Sequence, residues 1–444
     1  MNNSYDFMVL GLTSLFFAFS LGGLLFFLVI LRRNYQKIQN FQKESGRDAV
    51  SVIPDLAPLR GGGDLPAVAI LLPLRGADPK IRETLEMLSR QTYSNYDVFV
   101  MMDHEEDSGL PLIQEILREL DPQEQKFHLS IRQVFYPTTS LKVNCLLDLY
   151  SRLEPHYEIL AGIDGDVIPH PEWLAETVAP LLFNPEIGAA TGYRWYHPEA
   201  CSFGENIRYL FNAVSWVWIC FGKYIWGGTY AIRRNLVCSE ECLERLKSSP
   251  VEDSEFTAMF VEKGLKNFAV PPAMMENQEK ISLKSAYFWI GRQILWNYLC
   301  LRKMWFFYVL MVWGLIAFQI YFAAAAIMSL VECDWFRLGL ILMDVLVFWG
   351  GNLLMLLILE RKAQRCIQIH HPEHRFGPGL SGWFKIILSM PLTLFMVGAA
   401  AVQPVFLRSF CWRGITYRIF HHGKIHIVDY EPYRDNTQNN TTLV

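Results

Sequence analysis

The sequence predicts a mostly parallel α/β domain attached to a small α-helical transmembrane region. Three observations predict it. Short apolar segments alternate with helix-spaced segments between residues 67 and 191, the pattern of an open α/β sheet. Four runs, 8–31, 304–331, 338–359 and 386–407, are apolar and long enough to cross a hydrocarbon core. One apolar segment ends in Asp164-Gly165-Asp166, which sets two carboxylates at a strand's carboxyl end, where open α/β sheets bind ligands.

Composition narrows the class. At 444 residues the chain exceeds one compact domain, and it is 52% hydrophobic with 19% charged residues. The net charge is −4, and no basic run marks a nucleic-acid partner, so none is expected. The 9 cysteines include no C-x-x-C pair, as expected for reduced thiols in a cytosol-facing protein.

The elements follow in order. The run 8–31 has no basic segment before it, but Arg32-Arg33 and Lys37 follow. It therefore reads as a transmembrane helix (1–31) with its carboxyl end in the cytoplasm, not as a signal peptide. Residues 32–66 form a cytoplasmic linker. Its Arg60-Gly61-Gly62-Gly63 lacks the Lys-Ser/Thr and the preceding strand of a phosphate loop. Strands are expected at 67–73, 96–102, 127–134, 158–163 and 187–191, with helices at 80–91, 111–120, 141–153 and 172–183. The domain extends over 67–280. At 281–303, Tyr287, Trp289, Arg292 and Trp296 among aliphatics predict a helix in the membrane interface.

The runs 304–331 and 338–359 form a pair joined by a short outside turn. Arg302-Lys303 before them and Arg361-Lys362 and Arg365 after them sit on the cytoplasmic side. The run 386–407 contains Pro391 and Pro404. A simple span would put Arg408, Arg413, Arg418 and Lys424 outside, so a Pro-broken re-entrant hairpin is expected, closing the region 304–407. Residues 408–444 are then a cytoplasmic tail with a frayed end. The whole is an integral membrane protein whose α/β domain faces the cytoplasm.

Asp164 and Asp166 offer hard oxygen ligands for Mg2+ or Mn2+, which keeps positions open for phosphate. D-x-D also occurs in surface turns, so neighbouring motifs decide its meaning. Leu72-Pro73-Leu74-Arg75-Gly76-x-Asp78-Pro79, followed by Gln91-Thr92-Tyr93-x-x-Tyr96, resembles the opening of family 2 glycosyltransferases, closest to the ceramide glucosyltransferase branch. The tail segment Trp412-Arg413-Gly414-Ile415-Thr416-Tyr417 resembles the same branch, so the similarity covers roughly residues 67–430.

The resemblance implies a GT-A-like nucleotide-sugar-binding domain with the pattern D, D, D, (Q/R)xxRW. On it, Asp103 lies by the nucleoside and Asp164 and Asp166 bind the metal. In Glu252-Asp253 the Asp is the catalytic base, and Lys142-x-Asn144 lies near the nucleotide. The last motif reads Arg292-Gln293-Ile294-Leu295-Trp296, with Leu295 where the family has Arg. Leucine cannot make charge-assisted bonds to a diphosphate, which leaves Arg292 alone or Arg302 to compensate. The implied partners are a nucleotide-sugar donor (a UDP-sugar), a lipid acceptor resembling ceramide, and the membrane.

Glycosyl transfer by single displacement needs one base, here Asp253, and inverts the anomeric centre; retention would need a second carboxylate as nucleophile. Glu252-Asp253 also suits an ordinary acidic helix start. Gly227 and Gly228, in Trp226-Gly227-Gly228-Thr229, either let an acceptor approach the backbone or form a plain turn before a strand. His370-His371-x-x-His374, beside Pro372, Gly377 and Pro378, reads as a solvated loop rather than metal ligands. Two rival functions stay open. A processive polysaccharide synthase would need more spans for its channel. A catalytically silent relative finds its support in Leu295.

Overall fold

The computed structural model describes Gly11, Val29 and residues 65–220, 224–373, 377–420, 423–434 and 442–443. The expected first span, nearly all of the linker, and His374 lie outside the described residues.

The alternation read from the sequence appears as β1 (Ala67–Leu74), α1 (Ile81–Ser89), β2 (Tyr96–Met102), α2 (Leu110–Leu120), β3 (Phe127–Ile131), α3 (Leu141–Arg152), β4 (Tyr157–Ile163), α4 (Trp173–Phe183) and β5 (Ile187–Tyr196). Two strands differ from expectation by more than one residue, each for a local reason. β3 stops early because the Gln133 and Val134 N–H groups leave the ladder for the buried Asp148 carboxylate, at 2.5 and 3.1 Å. β5 continues past Gly192, which marks a bulge in the pairing with its neighbour and not an end.

The domain is completed by α5 (Phe203–Cys220), β6 (Thr229–Arg233), α6 (Arg234–Val237), α7 (Glu240–Leu246), α8 (Glu252–Glu262) and β7 (Lys266–Asn277). The sheet order is β3-β2-β1-β4-β6-β5-β7, and β6 runs against its neighbours. This is the mostly parallel α/β architecture expected from the sequence. Alternation along β1 builds both cores. Val68, Ile70 and Leu72 pack with Ile81, Leu85, Ile113 and Trp173 on one face, while Ala69 and Leu71 pack with Leu146, Tyr230, Phe256 and Phe260 on the other. The carboxyl ends of β1, β2, β4 and β5 and the start of β6 thereby share one edge.

Beyond the domain come α9 (Leu283–Cys300), α10 (Arg302–Val331), α11 (Trp335–Gln368) and α12 (Leu380–Val402). Three of these, α10, α11 and the helix containing α12, are long and apolar enough to cross a membrane. α10 and α11 form a hairpin that meets at Phe322, Ala325, Ile341 and Phe348 and is otherwise clothed in exposed apolar side chains. The foot of α11 returns to the domain, where Glu360 accepts bonds from Tyr209 Oη at 2.7 Å and Trp195 Nε1 at 3.2 Å.

The Pro-broken re-entrant hairpin is not formed. α12 is one continuous helix through Pro391, and the hydroxyls of Ser389 and Thr393 bond carbonyls on either side of the proline. Its flank lies against both the domain and α10: Asn206 Nδ2 of α5 donates to Ser389 Oγ at 3.2 Å, and Trp305 Nε1 of α10 donates to Ala401 O at 2.9 Å. More of α12 is buried than of α10 or α11. Both its ends adjoin the α/β unit, so the tail emerges on the domain's side by way of a helix lying along it.

The tail forms an antiparallel sheet of β8 (Ser409–Trp412), β9 (Ile415–Ile419), β10 (Ile425–Asp429) and β11 (Thr442–Leu443), in the order β10-β9-β8-β11. β8 and β9 are joined by Arg413 at φ 48° and Gly414 at φ 77°, the two positive angles that a tight type I′ hairpin turn requires.

This arrangement predicts that the domain and the tail share one side of a membrane crossed by α10 and α11. Cys333 is exposed in the α10–α11 turn, while Lys266 and Lys424 are exposed on the domain and the tail. In sealed vesicles holding single-cysteine variants, an impermeant thiol reagent that labels Cys333 from one side should label Lys266→Cys and Lys424→Cys only from the other. Labelling of Lys424→Cys from the Cys333 side would mean that α12 crosses the membrane.

Candidate active site

The D-x-D turn follows β4 directly. The Asp164 N–H donates to Gly228 O at 3.0 Å, and the Val167 N–H closes the turn onto Asp164 O at 3.2 Å. A Cβ at Gly165 would lie 2.6 Å from Leu74 Cδ2, so glycine lets this turn press against the end of β1 without displacing the Leu74 side chain. That approach brings Asp78, from the loop after β1, into the electrostatic field of Asp164 and Asp166.

Lys142, in the first turn of α3, occupies the centre. Its Nζ lies 2.7 Å from Asp164 Oδ1 and 2.6 Å from Glu252 Oε1, and it donates to Gly227 O at 2.9 Å. Burial works against the ammonium, but Asp164 and Glu252 outweigh it and hold its pKa above the ordinary lysine range. Glu252 is 2% exposed, whereas Asp253 is partly exposed. Asp253 accepts from Gly227 N at 3.0 Å and Ser254 N at 2.6 Å. Burial raises the pKa of both carboxyls, with Lys142 opposing. A Cβ at Gly227 would stand 2.8 Å from Asp253 Oδ2, which explains the glycine: the backbone here approaches the carboxylates themselves.

Cations surround the acidic groups. Arg194, from β5, forks onto both oxygens of Asp166 at 2.9 and 2.6 Å and holds that carboxyl well below its usual range against the cost of burial. Arg413, at the tip of the tail hairpin, donates to both oxygens of Asp78 at 3.2 Å and to Arg75 O at 3.0 Å. Even so, burial, with Asp166 and Asp164 adding to it, raises the Asp78 pKa. Asp164 and Asp166 keep 34% and 30% of their side chains exposed. Arg194 holds both oxygens of Asp166 and Lys142 holds one of Asp164, but the residual negative field and the partly exposed carboxylates fit a divalent cation.

Arg292 lies within this group. Burial and the neighbouring Arg413 lower its pKa to about 10, opposed by Tyr196, Asp166 and Asp164. Its guanidinium stacks over Trp412 at 5.4 Å and makes no hydrogen bond with the described residues. Leu295, by contrast, is fully buried with Leu299, Phe410, Ile415 and Tyr417, facing a core where an Arg would be stranded. The suggestion that Arg302 compensates fails, because Arg302 is exposed and stacks on Tyr298 at 4.8 Å. Arg413 is the cation that joins Arg292.

Other expected contacts resolve differently. Asn144 is fully buried, and its amide clamps the loop before α3: it accepts from Tyr136 N at 2.5 Å and donates to Tyr136 O and Ser140 O, both at 3.0 Å. With its amide so engaged it cannot reach a donor, and its expected binding role is withdrawn. Asp103 is 1% exposed beneath Arg75, Arg132 and Tyr430, which all bond its carboxylate. Trp296 packs against Phe410 and Trp412 and so props the hairpin that carries Arg413. Sequence reasoning singled out neither Arg194 nor Arg413 for the site. The Trp412-Arg413-Gly414 segment gave a signal for the turn, but nothing local says where the turn docks.

Lys142→Met should leave buried carboxylates unneutralised, costing about 3–5 kcal/mol, the usual penalty for breaking a buried ion pair. Because the pKa values of Glu252 and Asp253 are raised, they become neutral as pH falls, so the loss should be greatest near pH 8 and shrink towards pH 5. Thermal unfolding in detergent checks this; an unchanged midpoint at pH 8 would contradict it.

Among solved structures, the chain is similar to the mannosyltransferase PcManGT from Pyrobaculum calidifontis in complex with GDP-Man and Mn2+. That likeness has 14% identity, covers 86% of this chain and 98% of that one, and has a TM-score of 0.41. It is also similar to glucosyl-3-phosphoglycerate synthase from Mycobacterium tuberculosis in complex with Mn2+, UDP-Glc and phosphoglyceric acid, at 16% identity over 54% of this chain and 79% of that one, TM-score 0.33. The model of glycosyl transferase family 21 matches residues 54–425, which takes in the sheet, the acidic edge and the tail hairpin. The protein belongs to glycosyl transferase family 21 and is a glycosyltransferase.

Proposed function

We propose that this glycosyltransferase moves a sugar, with inversion, from a UDP-sugar to the hydroxyl of a ceramide-like lipid, with its α/β domain on the cytoplasmic face. The observation that carries the reading is the joining of the Glu252-Asp253 helix start to the D-x-D turn by Lys142, which contacts Glu252 and Asp164. Asp253 is the partly exposed member of the acidic pair, with its pKa raised towards that of an effective base. Glu252 is buried against Lys142 and serves to hold it. With one base offered and no second carboxylate set apart as a nucleophile, a single displacement is the economical route.

Asp164 and Asp166 would hold Mg2+ or Mn2+, which when bound neutralises charge developing on the leaving diphosphate. Arg292 and Arg413 bind the diphosphate oxygens, and Asp103 acts at one remove by holding Arg75 and Tyr430. The membrane supports the lipid acceptor: Arg292 and Trp296 belong to α9, whose last residue adjoins the α10 span. Against a processive synthase, α12 lies along the domain, so among the described residues only α10 and α11 remain to cross. Against a silent relative, Arg413 supplies a cation that Leu295 does not.

Proteoliposomes containing the lipid should be given a panel of labelled nucleotide sugars with Mn2+. Label should enter the organic extract from a UDP-sugar. Asp253→Asn should slow transfer by about 10²-fold or more, the low end for loss of a general base, with donor affinity little changed. In the wild type the rate should fall as acid protonates Asp253, at a pH above the ordinary carboxylate range. Insoluble polymer, or no label despite nucleotide binding, would overturn the reading.

A further inference from the structure

Away from the acidic edge, the structure joins three donor groups that are far apart in the chain. His170 precedes α4, Glu176 lies in α4, and His370 follows the end of α11. His370 Nε2 is 2.8 Å and His170 Nε2 is 3.3 Å from the Glu176 carboxylate oxygens, and the two imidazoles stack at 3.6 Å between centroids, 12° from parallel. His170 is 6% and Glu176 1% exposed, and the His370 side chain 12%. His370 is therefore not part of a solvated loop, contrary to the expectation from its Pro- and Gly-rich surroundings.

We propose that His170, Glu176 and His370 form a structural site for a divalent transition-metal ion of the zinc class. The three residues offer ligand atoms that all lie within 4.8 Å of one another. Two imidazoles and a carboxylate are a donor set suited to zinc and poorly suited to magnesium. His170 Nε2 faces Pro272 O at 3.1 Å, the backbone contact that commonly fixes the tautomer of a metal-bound histidine. Its buried Nδ1 has no hydrogen-bond partner and keeps a lone pair. An ion here would pin the carboxyl end of a membrane helix to the α/β domain, on residues separate from Asp164 and Asp166.

Full-length protein purified in detergent without chelator, washed with excess Mg2+, should retain about one zinc per chain by elemental analysis. Asp166→Asn should keep that zinc, and His370→Ala should lose nearly all of it. Because His370→Ala could fold poorly, Co2+ added to metal-stripped wild-type protein gives a second reading. One equivalent should produce visible d–d absorption, and zinc should abolish it. Absence of both stoichiometric zinc and Co2+ absorption in the wild type would overturn the proposal. So would zinc that survives His370→Ala, or zinc that leaves with Asp166→Asn.

Discussion

The Lys142 ammonium is the constraint on which the acidic edge depends. Asp78, Asp164, Asp166, Glu252 and Asp253 converge there, and like charges in a partly buried space raise one another's energy. Lys142 contacts Asp164, Glu252 and the Gly227 carbonyl together, so one side chain ties α3 to the D-x-D turn, the start of α8 and the turn before β6. Such a pair adds little over an apolar core, but removing one partner is costly. The order of the site therefore rests on cations already present before any donor arrives. Arg194 and Arg413 complete the pattern, each taking one carboxylate.

The tail is as much a part of this edge as the sheet is. Arg413 reaches Asp78 only because Arg413 and Gly414 both take positive φ and turn the hairpin tightly. Trp296 and Phe410 support that hairpin from α9. Further along, Arg75 donates to Glu431 O at 2.7 Å and Ser108 N to Tyr433 O at 3.0 Å, so the stretch after β10 straps the loops after β1 and β2. A polypeptide that passes through three long apolar helices thus returns to finish the site it began before them. This return also accounts for Leu295. The position faces the hydrophobic seam between α9 and the tail sheet, where leucine packs and an arginine would lose its hydration.

How much of this was legible in the sequence follows the range of the interactions. β1 to β4 and the intervening helices show in local periodicity, and the D-x-D turn shows in its position after an apolar run. β6 follows Gly227-Gly228 as a turn before a strand would have it, whereas β7 has no clear signal because Pro271-Pro272 interrupt its apolar pattern. Pro391 read as a helix break, yet in an apolar setting nearby hydroxyls take up the carbonyls around it. Asn144 kept the residue type of a binding motif while spending its amide on the backbone. The approach of Arg413 to Asp78, and of His370 to Glu176, depends on packing across hundreds of residues and has no local signature.

The proposed diphosphate site depends on a tail residue, Arg413, supplying the charge that the Leu295 position does not. Nucleoside diphosphate affinity with Mn2+, measured by calorimetry on the detergent-purified protein, tests it most directly. Arg413→Gln should weaken UDP binding by about 10- to 100-fold, the worth of a hydrogen bond to a charged group, while Arg302→Gln should leave it within about twofold. An Arg413→Gln protein that binds UDP as tightly as the wild type would contradict the account.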